Sequence, residues 1–138
     1  MPEVFETRHS DGDGRFLILC DHASNYVPPE LDNLGLPSEH LTRHIAYDPG
    51  AVDVARFIAD NLNCPLVEAG FSRLLIDPNR GLDDPTLIMK FSDGIIIPAN
   101  RGVDHFNDLE LWQSRVDTYY NPYHNAIVDA LARAEAQD

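Results

Sequence analysis

The chain has 138 residues, 43% of them hydrophobic and 24% charged, a length that suits one domain and a balance that excludes wholesale disorder. Its 23 acidic and 10 basic residues leave a net charge of −13, which argues against nucleic-acid backbones and anionic membrane surfaces as partners. No apolar run approaches the roughly 18 residues of a membrane-spanning helix, and Met1 to Ser10 has neither the basic start nor the apolar stretch of a secretory signal.

A small anionic substrate stays compatible with this charge, because a pocket can gather a few arginines against the global field. A chain of this size buries about 68–70% of its unfolded surface, so its core needs no disulfide staples. Cys20 and Cys64 each sit beside a strand-like apolar run and read as buried, reduced thiols. A cytoplasmic location follows from that cysteine usage.

Residues 1–14 form a polar N-terminal segment ending in Asp11-Gly12-Asp13-Gly14. The Asp-Gly pairs predict a turn; a calcium loop would need a Glu at a spacing that is missing here. Arg15 to Cys20 is apolar and β-compatible, which predicts a strand buried on both faces, as in a parallel sheet. It leads into Asp21-His22-Ala23-Ser24-Asn25, in the position past a strand end where α/β folds place ligands. Pro28-Pro29 punctuates the chain and predicts a turn or short helix.

Ser38 to His44 reads as a short helix with Ser38 as its cap. A longer helix is predicted from Pro49 to Asn61, with Asp48 as cap and Pro49 at its first position. Val52, Ala55, Ile58, Ala59 and Leu62 make one apolar face at helical spacing. Cys64 to Ala69 and Ser72 to Asp77 follow as strands, giving a βαβ unit. Residues 78–103 are loop-rich, with Ile95 to Ile97 as a short strand; so long a connection in a compact domain is often functional. From about Asn107 to Ala136 the chain is mostly helical, with a break or kink expected near Asn121 because Pro122 cannot continue the hydrogen-bond ladder. The second helix would bury Ile127, Val128 and Leu131. The whole reads as a single α/β domain over residues 1–138.

Three clusters carry chemistry. In the first, Asp21 to Asn25, His22 is either a turn residue bonded to backbone or a metal ligand. In the second, His44 to Gly50, Asp48 is either a helix cap or a ligand. The third runs Ser72-Arg73-Leu74-Leu75-Ile76-Asp77-Pro78-Asn79-Arg80. Its charges are either a surface ion-pair set or an anion site, since guanidinium groups grip carboxylates through paired hydrogen bonds and an Asn amide adds a donor. Asp77 would then orient an arginine. A catalytic zinc takes three protein ligands and leaves a position for water, and His22 and Asp48 suit two of them. His9 and His40 read as exposed, and His124 as a packing or hydrogen-bonding residue.

Taken together these segments resemble the N-formylglutamate amidohydrolase family. The matching stretches are Leu19 to Asn25, Arg43 to Ala51, Ser72 to Arg80, Asp93-Gly94 with Ile97 to Gly102, and Tyr120 to His124, in the family's order. The resemblance implies an α/β fold like that of zinc carboxypeptidases and related hydrolases, a mixed, mostly parallel sheet flanked by helices with the metal at the strand ends. It implies metal-dependent hydrolysis of an N-formyl or N-acyl amino acid such as N-formylglutamate, releasing formate and the amino acid. By that analogy His22 and Asp48 hold a divalent metal, zinc or cobalt, with His44 beside them in the catalytic set. Arg73, Asn79 and Arg80 receive the carboxylate of a small substrate.

Two departures shape the expectation. Where related enzymes carry a Glu after the first metal-binding His, this chain has Asn25. The family's later strand, which ends in a second His, is not recognisable before Asp138, so the fold reads as truncated. The chain is then a fragment, a short relative, or a protein whose site another chain completes. The alternative function is a non-catalytic carboxylate-binding module, and an uncovered sheet edge would favour a homo-oligomer.

Overall fold

The computed structural model describes residues 3–137. A strand begins inside the segment read as a polar leader. β1 (Phe5–Arg8) pairs antiparallel with β3 (Leu66–Ala69), from Phe5 opposite Ala69 to Arg8 opposite Leu66. Its pattern is too short and too charged to be read as a strand locally; the ladder to β3 makes it one. On the other side of β3, β2 (Ile18–Cys20) runs parallel, with Ile18 opposite Leu66 and Cys20 opposite Glu68. The order is β1-β3-β2. The sheet is therefore small and mixed, with one antiparallel and one parallel pairing, and not mostly parallel.

This order corrects the expected strand at Arg15 to Cys20. It is only three residues long and lies at the edge, so Phe16 and Leu19 are exposed, Leu19 by 44%. The doubly buried strand is β3, all four of whose residues are buried.

α1 (Ala51–Leu62) connects the parallel pair and completes the expected βαβ unit. Its cap is Gly50, in the left-handed region at φ 84°, with no side-chain bond to the first turn. Asp48 therefore does not cap the helix, and Pro49 lies outside it. Of the expected apolar face, Ala55 and Ala59 are buried against the sheet. Ile58 and Leu62 stay largely exposed, along with Val54 and Phe57. The Ser38 helix is a 3-10 turn, Ser38–Thr42, preceded by Pro37 and without a side-chain cap. A second 3-10 segment spans Pro29–Gly35.

The apolar stretch Ser72 to Asp77 is not a strand; it folds as successive turns. Two of its carbonyls are met by side chains instead of a ladder. Asn100 Nδ2 donates to Leu74 O at 2.8 Å, and Arg115 Nη1 donates to Leu75 O at 3.0 Å. Both side chains are buried and bonded to each other at 2.6 Å. Leu74, Leu75 and Ile76 are fully buried, so their hydrophobicity marked the core correctly and the local geometry wrongly. A small hairpin follows, β4 (Phe91–Ser92) with β5 (Ile95–Ile96), turning through Asp93 and Gly94, both at positive φ.

The C-terminal helical stretch does not break at Asn121, but its irregularity falls just before that residue, as a π-helical turn between two α-helices. α2 (Leu109–Arg115) passes through a π-helical turn, Val116–Tyr120, into α3 (Asn121–Glu135). Pro122 would clash with the carbonyl four residues earlier in a regular helix, and the wider π register relieves that clash. α3 packs on β1 and β3 through Tyr123, Ala126 and Ala130. Of the expected apolar face, Ile127 packs against the core, while Val128 and Leu131 are exposed. The core gathers Phe71, Leu74, Leu75, Ile76, Leu87, Ile97 and Tyr123. No helix among the described residues is long and apolar enough to cross a membrane.

Candidate functional site

Three loop segments are laced together by backbone before any side chain is placed. Asp48 N–H donates to His22 O at 3.0 Å. Arg73 N–H donates to Ala46 O at 3.2 Å, and the buried Ser72 hydroxyl reaches the same carbonyl at 2.8 Å. Ser72 N–H donates to Tyr26 O at 2.8 Å. The turn after β2, the loop before α1 and the Ser72 to Arg80 segment thus meet at the C-terminal end of β2.

Their side chains form one polar cluster. His22 is buried, with Nε2 2.7 Å from Asp77 Oδ1 and Nδ1 3.2 Å from Asp48 Oδ2. Arg73 bridges the same two carboxylates: Nη1 to Asp48 Oδ1 at 3.2 Å, and Nη2 to Asp77 Oδ2 at 3.3 Å. Arg80 Nε donates to Asp77 Oδ2 at 3.1 Å, and its Nη1 to the Thr86 hydroxyl. Asp77, 1% exposed, is therefore the hub that joins His22 to both arginines. Burial works against its carboxylate, but the hydrogen bonds from His22 and from Asn79 N–H, with the charge of His22 and Arg73, hold its pKa below the usual range. For His22 burial pulls the pKa down, as does the charge of Arg73, but the hydrogen bond and charge of Asp77 and the hydrogen bond to Asp48 outweigh them, so the net shift is upward.

A cleft of about 660 Å³ opens over this cluster. His22, Asp48 and Asn79 supply its polar wall, and Ile18, Leu19 and Ile58 its apolar wall. The structure thus brings His22, Asp48, Arg73, Asn79 and Arg80 together. It does not bring His44, whose exposed ring sits 3.3 Å from Asp93 Oδ2 beside Arg43. Only three residues lie between His44 and Asp48, but the loop turns between them and His44 faces the hairpin. Asn25 is turned away as well, donating to Leu41 O at 2.7 Å. His9 lies on Asp60, and His105 packs edge-on against Trp112.

Several positioning contacts were illegible in the sequence. Tyr123, fully buried, donates to Asp21 Oδ1 at 2.5 Å and so ties α3 to the residue before His22. Arg115 and Asn100 shape the arginine-bearing segment from below. The Tyr-rich stretch from Tyr119 to His124 was the available signal, because buried phenols need acceptors.

A hydrolytic zinc is what the donor chemistry must be tested against. One ring nitrogen of His22 is anchored on a carboxylate, as a metal-binding imidazole requires to fix its ring. The other faces Asp48 at 3.2 Å, a spacing that two donors to one small cation can share. These two residues fit. Among the described residues no group of three His, Cys, Asp or Glu side chains could hold a metal ion, so the set supplies two donors and no third.

Comparisons with known proteins bear on the family and the fold. The sequence model of one family, N-formylglutamate amidohydrolase, matches residues 14–138. No curated protein matches significantly. Among solved structures, the crystal structure of gene product Atu2144 from Agrobacterium tumefaciens is similar, with a TM-score of 0.89 and 31% identity. The match covers 98% of this chain and 52% of that one, so the chain spans about half the length of this relative.

Proposed function

Because the chain belongs to the N-formylglutamate amidohydrolase family, we propose that it carries the carboxylate-binding half and two metal donors of a metal-dependent hydrolase of N-formyl or N-acyl amino acids. N-formylglutamate is the type substrate. The observation that carries this reading is the convergence of His22, Arg73 and Arg80 on one buried carboxylate, Asp77, at the edge of a cleft lined by Asp48 and Asn79.

In this reading His22 and Asp48 would hold a divalent cation, zinc before cobalt, which would supply Lewis acidity toward the amide carbonyl and toward water. Asp77 accepts the Nε2 proton of His22 and keeps the ring facing Asp48. Asn79 and Arg80 receive the substrate carboxylate, and Arg73 braces Asp48 and Asp77. Guanidinium groups carry five donor hydrogens each, and the bonds described for Arg80 use only Nε and Nη1. The apolar wall of Ile18, Leu19 and Ile58 accommodates the aliphatic part of the amino acid.

The test is formate release. Chain stripped of metal and reloaded with zinc should hydrolyse N-formylglutamate, and elemental analysis should find metal lost in His22→Ala. No formate and no metal in the wild-type chain would overturn the reading.

A second reading has its own support. Both His22 nitrogens are already satisfied by carboxylates, and no group of three metal donors is present among the described residues. A carboxylate-binding module without catalysis would need nothing more. Calorimetry separates the two: binding of N-formylglutamate that is lost in Arg80→Ala but indifferent to chelator favours the module.

A further inference from the structure

Asn79, the amide that lines the cleft, lies in a tripeptide gripped from behind by two aromatic side chains of the C-terminal helix. The Tyr120 hydroxyl donates to Arg80 O at 2.7 Å. His124 Nε2 meets Pro78 O at 2.9 Å; a carbonyl only accepts, so Nε2 carries the proton. These two carbonyls belong to the residues immediately before and after Asn79. The Asn79 N–H is held in turn by Asp77 Oδ1 at 2.9 Å. Pro78 adds stiffness through its fixed φ.

The grip has a cause in helix geometry. Tyr120 and His124 are four residues apart and share a face, with their rings stacked at 4.3 Å between centroids and tilted by 35°. Tyr120 closes the π-helical turn. Arg115, five residues earlier, binds Leu75 O on the same segment. In a regular α-helix five residues rotate a side chain by about 140°, whereas a π turn brings positions i and i+5 close to line. The extra residue in the turn is what lets Arg115, Tyr120 and His124 all reach the stretch from Leu75 to Arg80.

We propose that Tyr120 and His124 are positioning residues that set the direction of the Asn79 amide by holding the carbonyls of its two neighbours, Pro78 and Arg80. The inference rests on the reading above for the ligand that Asn79 receives, but the clamp itself is testable without that ligand. Neither ring needs to touch substrate. The π-helical turn becomes the element that couples the C-terminal helix to carboxylate recognition.

The experiment compares the wild-type chain with Tyr120→Phe, His124→Ala, the double variant, and His124→Gln, which keeps an N–H donor. Backbone amide hydrogen exchange is read at Asn79 and Arg80 and, as reference, in β3. Exchange at Asn79 and Arg80 should rise by about tenfold or more in the double variant, β3 should be unchanged, and His124→Gln should restore most of the protection lost in His124→Ala. N-formylglutamate titrated into the same chains should bind the double variant about tenfold more weakly than wild type. Unchanged exchange at Asn79 and Arg80, or an equal rise throughout β3, would overturn the clamp. So would equal affinity in wild type and double variant. A wild-type chain that fails to bind N-formylglutamate removes the proposed ligand, and the exchange data then decide the clamp alone.

Discussion

His22 Nε2 and Asp77 Oδ1 meet at 2.7 Å in the interior although 55 positions separate them in the chain. Asp77 also receives both arginines of its own segment, so one buried carboxylate balances an imidazole and two guanidinium groups. Asp77→Asn keeps the volume and removes that charge. Breaking a buried ionic cluster from one side costs roughly 3–5 kcal/mol. Urea unfolding should show the midpoint falling with the slope unchanged; a loss below about 1 kcal/mol would show that the cluster is not held by this carboxylate.

Tyr123 makes a pH-dependent prediction. Burial first, then the hydrogen bond to Asp21 and that carboxylate's charge, hold its phenol neutral far above the ordinary tyrosine range. A tyrosine in the unfolded chain ionises near pH 10. The folded pKa is raised, so the contribution is whole below about pH 10 and is lost as pH climbs above it. Tyr123→Phe should cost about 1–3 kcal/mol at neutral pH, and the gap from wild type should narrow by about pH 11. A gap that widens with pH would contradict the sign.

Two glycines should respond differently to alanine. Gly50 stands at φ 84°, and a Cβ added there would meet nothing within 4 Å, so Gly50→Ala carries only the left-handed backbone cost of about 1–2 kcal/mol. At Gly70 a Cβ would collide with Glu3 O, where the chain pairs β1 to β3 through Gly70 N–H and Val4 O. Gly70→Ala must push β1 off the sheet, and about 3 kcal/mol or more is expected. Thermal denaturation of the two variants side by side checks the order.

Cys64 is fully buried and burial raises its pKa; Cys20 is buried too. Neither thiol should react with a bulky disulfide reagent in the native chain near neutral pH, because the thiolate is scarce and shielded. Both should react once denaturant is added, and native labelling of either would show the β2–α1 contact to be open.

The chemistry-bearing stretches were legible because each is contiguous. Asp21-His22, Tyr47-Asp48 and Asp77 to Arg80 could be read as site material from donor types alone, and the α1 and α3 stretches from their helical periodicity. The errors share one origin. Ser72 to Asp77 has the composition of a strand, but strand formation needs a ladder, and Asn100 and Arg115, far along the chain, took its carbonyls first. Arg15 to Cys20 has the composition of a central strand, but β3 occupies the centre once β1 pairs on its far side.

Residue type and local period determined which side chains this protein could use and where its helices run, since both depend on neighbours within a few positions. Which of those side chains meet was decided by tertiary structure alone. His44 and Asp48 share a loop, yet one turns to Asp93 and the other to His22. Asp77 became the hub only when the chain folded back across those 55 positions. Convergence of this kind depends on long-range packing, above all on which strand takes the middle of the sheet, and local sequence carries no record of that.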